Sequence, residues 1–164
     1  MIYIEETQYF RQKWLWAIIS FFPLFSAYSI YEQIIMGNPV GSNPVDNVVI
    51  WCFSIFAGVG FPIFFYFMKL KMKVTKEGLY YQFYPIHLKE HLICFDEITS
   101  FKERKYSPIN EFGGWGIRYG FQGKAYNVSG NKGIQLILKN GNKILFGSQK
   151  SRELENALKK ASRN

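Results

Sequence analysis

The hydrophobic pattern changes character once along the chain. Uncharged apolar stretches run from Trp14 to Tyr31 and from Val48 to Met68, whereas beyond Lys69 the apolar residues come in short runs broken by charge. As helices the two stretches are about 27 Å and about 31 Å long, enough for each to cross a bilayer core. Trp14 and Trp16 at one end of the first, with Tyr28 and Tyr31 at the other, are placed like interfacial aromatic belts. Pro23 predicts a kink in mid-span, with Ser20 close enough to take up a freed backbone group. Residues 37–44 are dense in Gly, Asn, Pro and Ser and predict a loop between the spans. Ser54 and Gly58, four apart on the second span, form a small-residue face for the first helix or for another chain.

From Lys69 the period drops to two. Lys69, Lys71 and Lys73 alternate with Leu70, Met72 and Val74, which predicts a strand starting next to the membrane. Further strands are expected over Leu79–Tyr84, Leu88–Phe95, Ile98–Tyr106, within the glycine-rich Glu111–Gly120, and over Lys124–Ser129. Gly133–Lys139 and Asn142–Phe146 read as a hairpin around Asn140-Gly141, a two-residue turn that sets Leu136 opposite Leu145 and Ile137 opposite Ile144. Leu154, Ala157, Leu158 and Ala161 form a helical stripe, with Ser148 or Ser151 as N-cap, Glu153 and Glu155 early, and Lys159 and Lys160 late. The expected architecture is a transmembrane α-helical hairpin over residues 1–73, then an α+β domain over 74–164 whose first strand starts as early as 69. That domain is expected to be an antiparallel β-barrel of about seven strands closed by a C-terminal α-helix. Residues 1–13 are polar and are assigned no element.

Charge orients this hairpin. Arg11 and Lys13 precede the first span and Lys69, Lys71, Lys73 and Lys76 follow the second, while no Lys or Arg lies between Glu32 and Asn47. The positive-inside rule then puts both termini in the cytoplasm. Most of the net charge of +8 lies in the later half, which favours an anionic partner. Lys69, Lys71, Lys73 and Lys76 are the candidate contacts to anionic lipid headgroups. No base-stacking motif accompanies the charge, so nucleic acid is not the expected partner. Cys52 and Cys94 form no CxxC and read as two small buried residues in a reducing setting.

One run matches a catalytic pattern. His87-Leu88-Lys89-Glu90-His91 has the H-x-x-E-H order of inverted zinc proteases, in which both imidazoles reach one metal from one helical turn and the Glu activates water. On a strand the two histidines would stand about 13 Å apart. Pro85 before the run and Leu92–Phe95 after it favour a turn between strands, and a zinc-dependent hydrolase using His87, Glu90 and His91 stays as the alternative. Gly123-Lys124 and Gly114-Trp115-Gly116 complete no phosphate-cradling or dinucleotide motif. No other catalytic residue, metal ligand or cofactor site is expected. Trp115, Arg118, Tyr119 and Tyr126 form a candidate ligand or partner surface, because glycines allow close approach and Trp, Tyr and Arg anchor interfaces. The structural alternative is a bulged strand whose Trp fills the sheet edge.

Phe95-Asp96-Glu97-Ile98, Gly113–Arg118, Ala125–Gly130 and Ile144–Ser148, placed after two apolar spans, resemble bacterial membrane proteins with two transmembrane helices and a C-terminal pleckstrin-homology-like domain. The resemblance implies a multi-pass protein of the bacterial inner membrane. Its cytosolic domain would be a binding module, engaging the anionic membrane surface or a protein partner. Lipid-binding domains of this type carry a Lys/Arg cluster in the first hairpin turn, where this chain has Lys76 beside Glu77. An accessory subunit that packs its helices against a larger membrane complex is a third reading.

Overall fold

The computed structural model describes every residue except Ser42, Pro44 and Asn164. The chain divides into two compact units, residues 10–67 and a second unit made of Met1–Tyr9 together with the chain from Met68 onward.

The first unit is a helical hairpin. Helix α1 (Lys13–Ile35) and helix α2 (Asn47–Phe67) are each long and apolar enough to cross a membrane. Only 17% of the most apolar window of each is buried, so neither helix is packed within this chain as a core helix would be. Phe21, Leu24, Ile55 and Phe56 all stand exposed. The helices meet through aromatic edges, Phe22 on Phe61 and Phe25 on Phe53, and through the small face predicted at Ser54 and Gly58. That face belongs to the hairpin itself: Ser26, Ser54 and Gly58 are buried, and a Cβ on Gly58 would lie 2.6 Å from Ser26 Oγ. Pro23 sits inside α1, but the Ser20 hydroxyl donates to the Trp16 carbonyl rather than to the Ile19 carbonyl that the proline frees. In the turn-rich loop, Ser42 and Pro44 lie outside the described residues. Gln33 Nε2 fastens the loop's far end, donating to the Val45 carbonyl and to Asn47 Oδ1.

In the second unit nine strands form two sheets among the described residues. The first sheet is β1 (Ile2–Tyr9), β2 (Lys69–Thr75), β3 (Gly78–Tyr84) and β4 (His91–Cys94), in that order and antiparallel throughout. The second has the order β5-β8-β9-β7-β6, built from β5 (Ile98–Lys105), β6 (Gly116–Gly120), β7 (Gly123–Asn127), β8 (Lys132–Leu138) and β9 (Lys143–Gly147). Its β7–β9 pair is parallel. The expected closed antiparallel barrel of about seven strands is therefore corrected to two separate sheets, one of them mixed. The break falls after the short β4, where a single 3₁₀ turn, Phe95–Glu97, moves the chain to the other sheet. There the Cys94 N–H is taken by the Glu97 carboxylate instead of by a neighbouring strand.

The N-terminal segment is the larger surprise. Residues 2–9 pair along β2, with Tyr9 opposite Lys69 and Glu6 opposite Met72. The helical hairpin is thus an insertion into what would otherwise be a β-hairpin. The boundary expected at residue 73 falls at Met68, and the first nine residues belong to the sheet unit. Only Glu6 and Gln8 of this strand are buried, so its inward face is polar and shows no apolar alternation.

The β8–β9 register also differs from expectation by one residue. Leu136 faces Ile144 and Gln135 faces Leu145. The loop holds three residues, Lys139 to Gly141: the Leu138 N–H donates to the Asn142 carbonyl, and Gly141 takes φ +81° at the left-handed position such a loop requires. Helix α3 (Pro108–Phe112) is a short unpredicted helix that ends on Gly113 at φ +71°.

Helix α4 (Ser151–Ala161) buries the predicted stripe Leu154, Ala157, Leu158 and Ala161. It packs on strands of both sheets. Neither predicted serine caps it, since Lys150 stands at the cap position. Carboxylates from both sheets fasten its first residue and the segment that leads into it instead. Glu6 of β1 accepts from Ser148 Oγ and from the Gln149 N–H, and Glu103 of β5 accepts from Ser151 Oγ. The cysteines form no disulfide, and neither is buried as expected: Cys52 is exposed and Cys94 half-buried.

Candidate functional site

The densest grouping of functional side chains lies where β3 and β4 of the first sheet meet β7 and β9 of the second. On β3, Tyr81 shares the inward face with the fully buried Leu79 and Phe83. A cis Tyr84-Pro85 bond opens the turn that follows. Gln82 Nε2 holds that turn by donating to the carbonyls of His87 and Leu88, both at 3.1 Å. The His87 N–H donates to the Phe83 carbonyl, and His87 Nδ1 accepts from the Phe83 N–H at 3.4 Å. His91, the first residue of β4, is paired with Tyr81 and stacks on its ring.

The rings continue across to the second sheet. Tyr81 is 4.9 Å from both Tyr126 of β7 and Phe146 of β9, and Tyr126 stacks on Phe146 at 5.4 Å. His87 lies 4.5 Å from His91 and 5.6 Å from Tyr126, centroid to centroid. Lys124 Nζ lies over the rings of Tyr126 and Tyr119, at 4.8 Å and 5.1 Å. Burial pushes the Tyr81 hydroxyl well above the ordinary tyrosine range, and its contact with the Tyr126 hydroxyl adds to this. Burial also raises Tyr126. Burial, then His91 and Lys124, lowers the His87 imidazole. Both tyrosines and His87 are therefore uncharged at neutral pH, which leaves an aromatic wall with Lys124 as a cation over it.

The geometry required by the zinc-hydrolase alternative is not formed. The two imidazoles are close, far nearer than on a strand, but a turn brings them together and not a helix. Glu90 points elsewhere, its carboxylate 3.0 Å from Lys73 and 3.8 Å from Lys71. Among the described residues no three His, Cys, Asp or Glu are placed to hold a metal ion.

The four candidate membrane-surface lysines are spread along β2 rather than gathered at one end. Lys69 lies over the rings of Tyr9 and Tyr84. Lys71 is paired with Glu5 and Glu90, and Lys73 with Glu90. Lys76 is exposed beyond the opposite end of the strand, about 23 Å from Lys69. Half of this charge is thus met within the sheet, and its two ends lie further apart than a Debye length.

The other predicted surface also divides. Tyr126 is 2% exposed and belongs to the core, contrary to its expected role as a contact residue. Trp115 is half-buried, its indole N–H donating to the Gly130 carbonyl. Arg118 Nε donates to the Trp115 carbonyl and the Gly116 N–H to Asn127 Oδ1, so the Gly-Trp-Gly run fastens the edge strand β6. Only Arg118 and Tyr119 present open side-chain surface.

No family model, curated protein or solved structure matches the chain.

Sequence reasoning missed the cluster because its members come from four strands and a turn. The aromatic run Tyr80-Tyr81-Gln82-Phe83 looks like ordinary strand residues, and Tyr126 and the two histidines were singled out separately, for a surface and for a metal, with nothing in the sequence to join them. Leu88 falls inside an expected strand, and Ile86 and Phe121 fall between expected strands; all three are exposed. The one available signal was apolar side chains inside turn segments, where polar residues are the norm.

Proposed function

We propose that the protein is a two-span membrane protein whose strand-rich unit is a non-catalytic binding module for the anionic membrane surface. The observation that carries this reading is the Tyr9–Lys69 pair. One sheet cannot straddle a bilayer, so a sheet holding the strands before and after the helical hairpin supports an even number of crossings with both termini on one side. The basic residues flanking the hairpin, and their absence from its loop, favour the cytoplasmic side. The apolar helices with their exposed faces support a location in the membrane, and the resemblance described above favours the inner membrane of a bacterium. A four-stranded sheet, then a second sheet, then a C-terminal helix across both is an order consistent with a pleckstrin-homology-like module. Binding is favoured over catalysis because His87 Nδ1 is engaged by backbone and Glu90 by lysines.

The test is carried out on the full chain expressed in bacterial cells. Membranes washed in alkaline carbonate should retain the protein. With Cys52 and Cys94 replaced by Ser, an impermeant maleimide should label Asn38→Cys on intact cells and Lys76→Cys only after permeabilisation. Release by carbonate, or labelling of Lys76→Cys on intact cells, would overturn the reading.

A further inference from the structure

In the sheet unit, two turns expose large apolar side chains at their tips. Ile86 and Leu88 in the β3–β4 turn are 53% and 80% exposed; Tyr119 and Phe121 in the β6–β7 hairpin are 75% and 103% exposed. The turns are far apart in sequence but flank one cluster, since His87 of the first touches Tyr126 and Lys124 of the second lies over Tyr126 and Tyr119.

Charge and connectivity select what these tips meet. Lys89 sits beside Leu88, and Arg118 and Lys124 flank the hairpin tip. No acidic residue lies between Glu111 and Glu153, and Glu90, next to the first turn, is engaged by Lys73 and Lys71. Tyr9, Lys69 and Tyr84 form the last rung of the first sheet. The chain leaves from that rung toward α1 on one strand and arrives from α2, which ends at Phe67, on the next. Pro85 follows Tyr84 at the same rung, so the β3–β4 turn begins at the end of the sheet from which the chain also leaves after Tyr9. Aromatic and branched apolar side chains ringed by Lys and Arg are the composition that settles at the boundary of headgroups and acyl chains.

We propose that Ile86, Leu88, Tyr119 and Phe121 form an interfacial wedge. The four side chains enter the headgroup–acyl boundary of the bilayer that holds α1 and α2, while Lys89, Arg118 and Lys124 meet its anionic headgroups. This rests on the reading of α1 and α2 as membrane spans. The wedge also gives the aromatic cluster a role, because Tyr81, His87 and Tyr126 fix the spacing of the two tips.

The full-length protein, with Cys52 and Cys94 replaced by Ser, is labelled with an environment-sensitive fluorophore at Leu88→Cys, Phe121→Cys, Ile109→Cys or Phe56→Cys. Each variant is placed in nanodiscs of phosphatidylglycerol with phosphatidylcholine, or of phosphatidylcholine alone. All four sites are exposed, so the labels replace side chains that the fold does not need. At positions 88 and 121 the probe should emit to the blue of position 109 in anionic discs. It should be quenched by spin-labelled acyl chains, and several-fold less by aqueous iodide than at 109. In neutral discs these differences should shrink. The span probe at 56 separates the two claims. If it is not quenched by the acyl-chain label, the membrane reading itself fails; if it is quenched while 88 and 121 behave like 109, only the wedge is overturned. Protection from iodide without acyl-chain quenching would mean that a second copy covers the tips, which overturns the lipid as occupant. Equal quenching in both disc types would overturn the anionic part of the proposal.

Discussion

The buried carboxylate of Glu6 accepts a hydrogen bond from Ser148 Oγ, 142 positions further along the chain. Glu6 also takes the Gln149 N–H at 2.9 Å, and two residues on in β1 Gln8 Nε2 donates to the Gly147 carbonyl at 2.8 Å. The strand before the first span is thereby fastened to the corner between the last strand and the last helix. Glu6→Gln keeps the volume but weakens a charge-assisted acceptor, at an expected cost of about 1–3 kcal/mol. Combined with Ser148→Ala the effects should be less than additive, because both substitutions remove the same bond. Denaturant unfolding in detergent micelles checks this, and an unchanged midpoint for Glu6→Gln would show the contact to be dispensable.

The register makes a direct statement about the excised domain. Residues 74–164 lack β1 and β2, so Leu79 and Phe83 lose their neighbouring strand and α4 loses Glu6. That fragment should be unfolded or aggregated. Joining Tyr9 to Lys69 through Asn-Gly should give a folded soluble domain, since those residues already face each other across one rung. Circular dichroism and dispersed amide resonances distinguish the outcomes. A folded 74–164 fragment would show that β1 adds little.

Burial within the cluster sets the sign of a pH effect. His87 titrates below its ordinary value in the folded protein, so between its folded and unfolded pKa the unfolded chain binds the extra proton. The contribution of neutral His87 is fully present above about pH 6.5 and is lost as the pH falls below it toward the folded value. The thermal midpoint should drop over that range, and less so in His87→Gln. Equal slopes for the two proteins would assign the effect elsewhere.

Tyr126 separates packing from hydroxyl chemistry. Its ring contacts Tyr81, His87 and Phe146, whereas its hydroxyl meets Tyr81 at only 3.5 Å. Tyr126→Phe should cost under about 1 kcal/mol and Tyr126→Ala about 3–5 kcal/mol. Comparable losses in a thermal melt would show that the hydroxyl carries the site.

In the helical unit, Gly58→Val would drive its side chain into Ser26 Oγ. Overpacking of this kind costs about 1–3 kcal/mol. The expected readout is a lower thermal midpoint in detergent, partly restored by Ser26→Gly, and no rescue would place the strain elsewhere.

Local pattern by itself determined much of the molecule. The long uncharged runs could only be helices, the Lys-x-Lys-x-Lys alternation marked β2, and the Leu154–Ala161 stripe marked the last helix. In each case the period of side-chain direction is written in consecutive residues. The sequence also named Ser54 and Gly58 as a contact face, because closely packed helices need small residues four apart. What joined distant segments was decided by tertiary structure alone. Strand β1 was illegible because its inward residues, Glu6 and Gln8, are polar and bond to groups at the other end of the chain. The β8–β9 register turned on whether the loop held two residues or three, and Asn-Gly serves both. The cluster of Tyr81, His87, His91 and Tyr126 exists only because two sheets meet, and the exposed Leu88 and Phe121 acquire meaning only once the fold shows that no described residue of their own unit covers them.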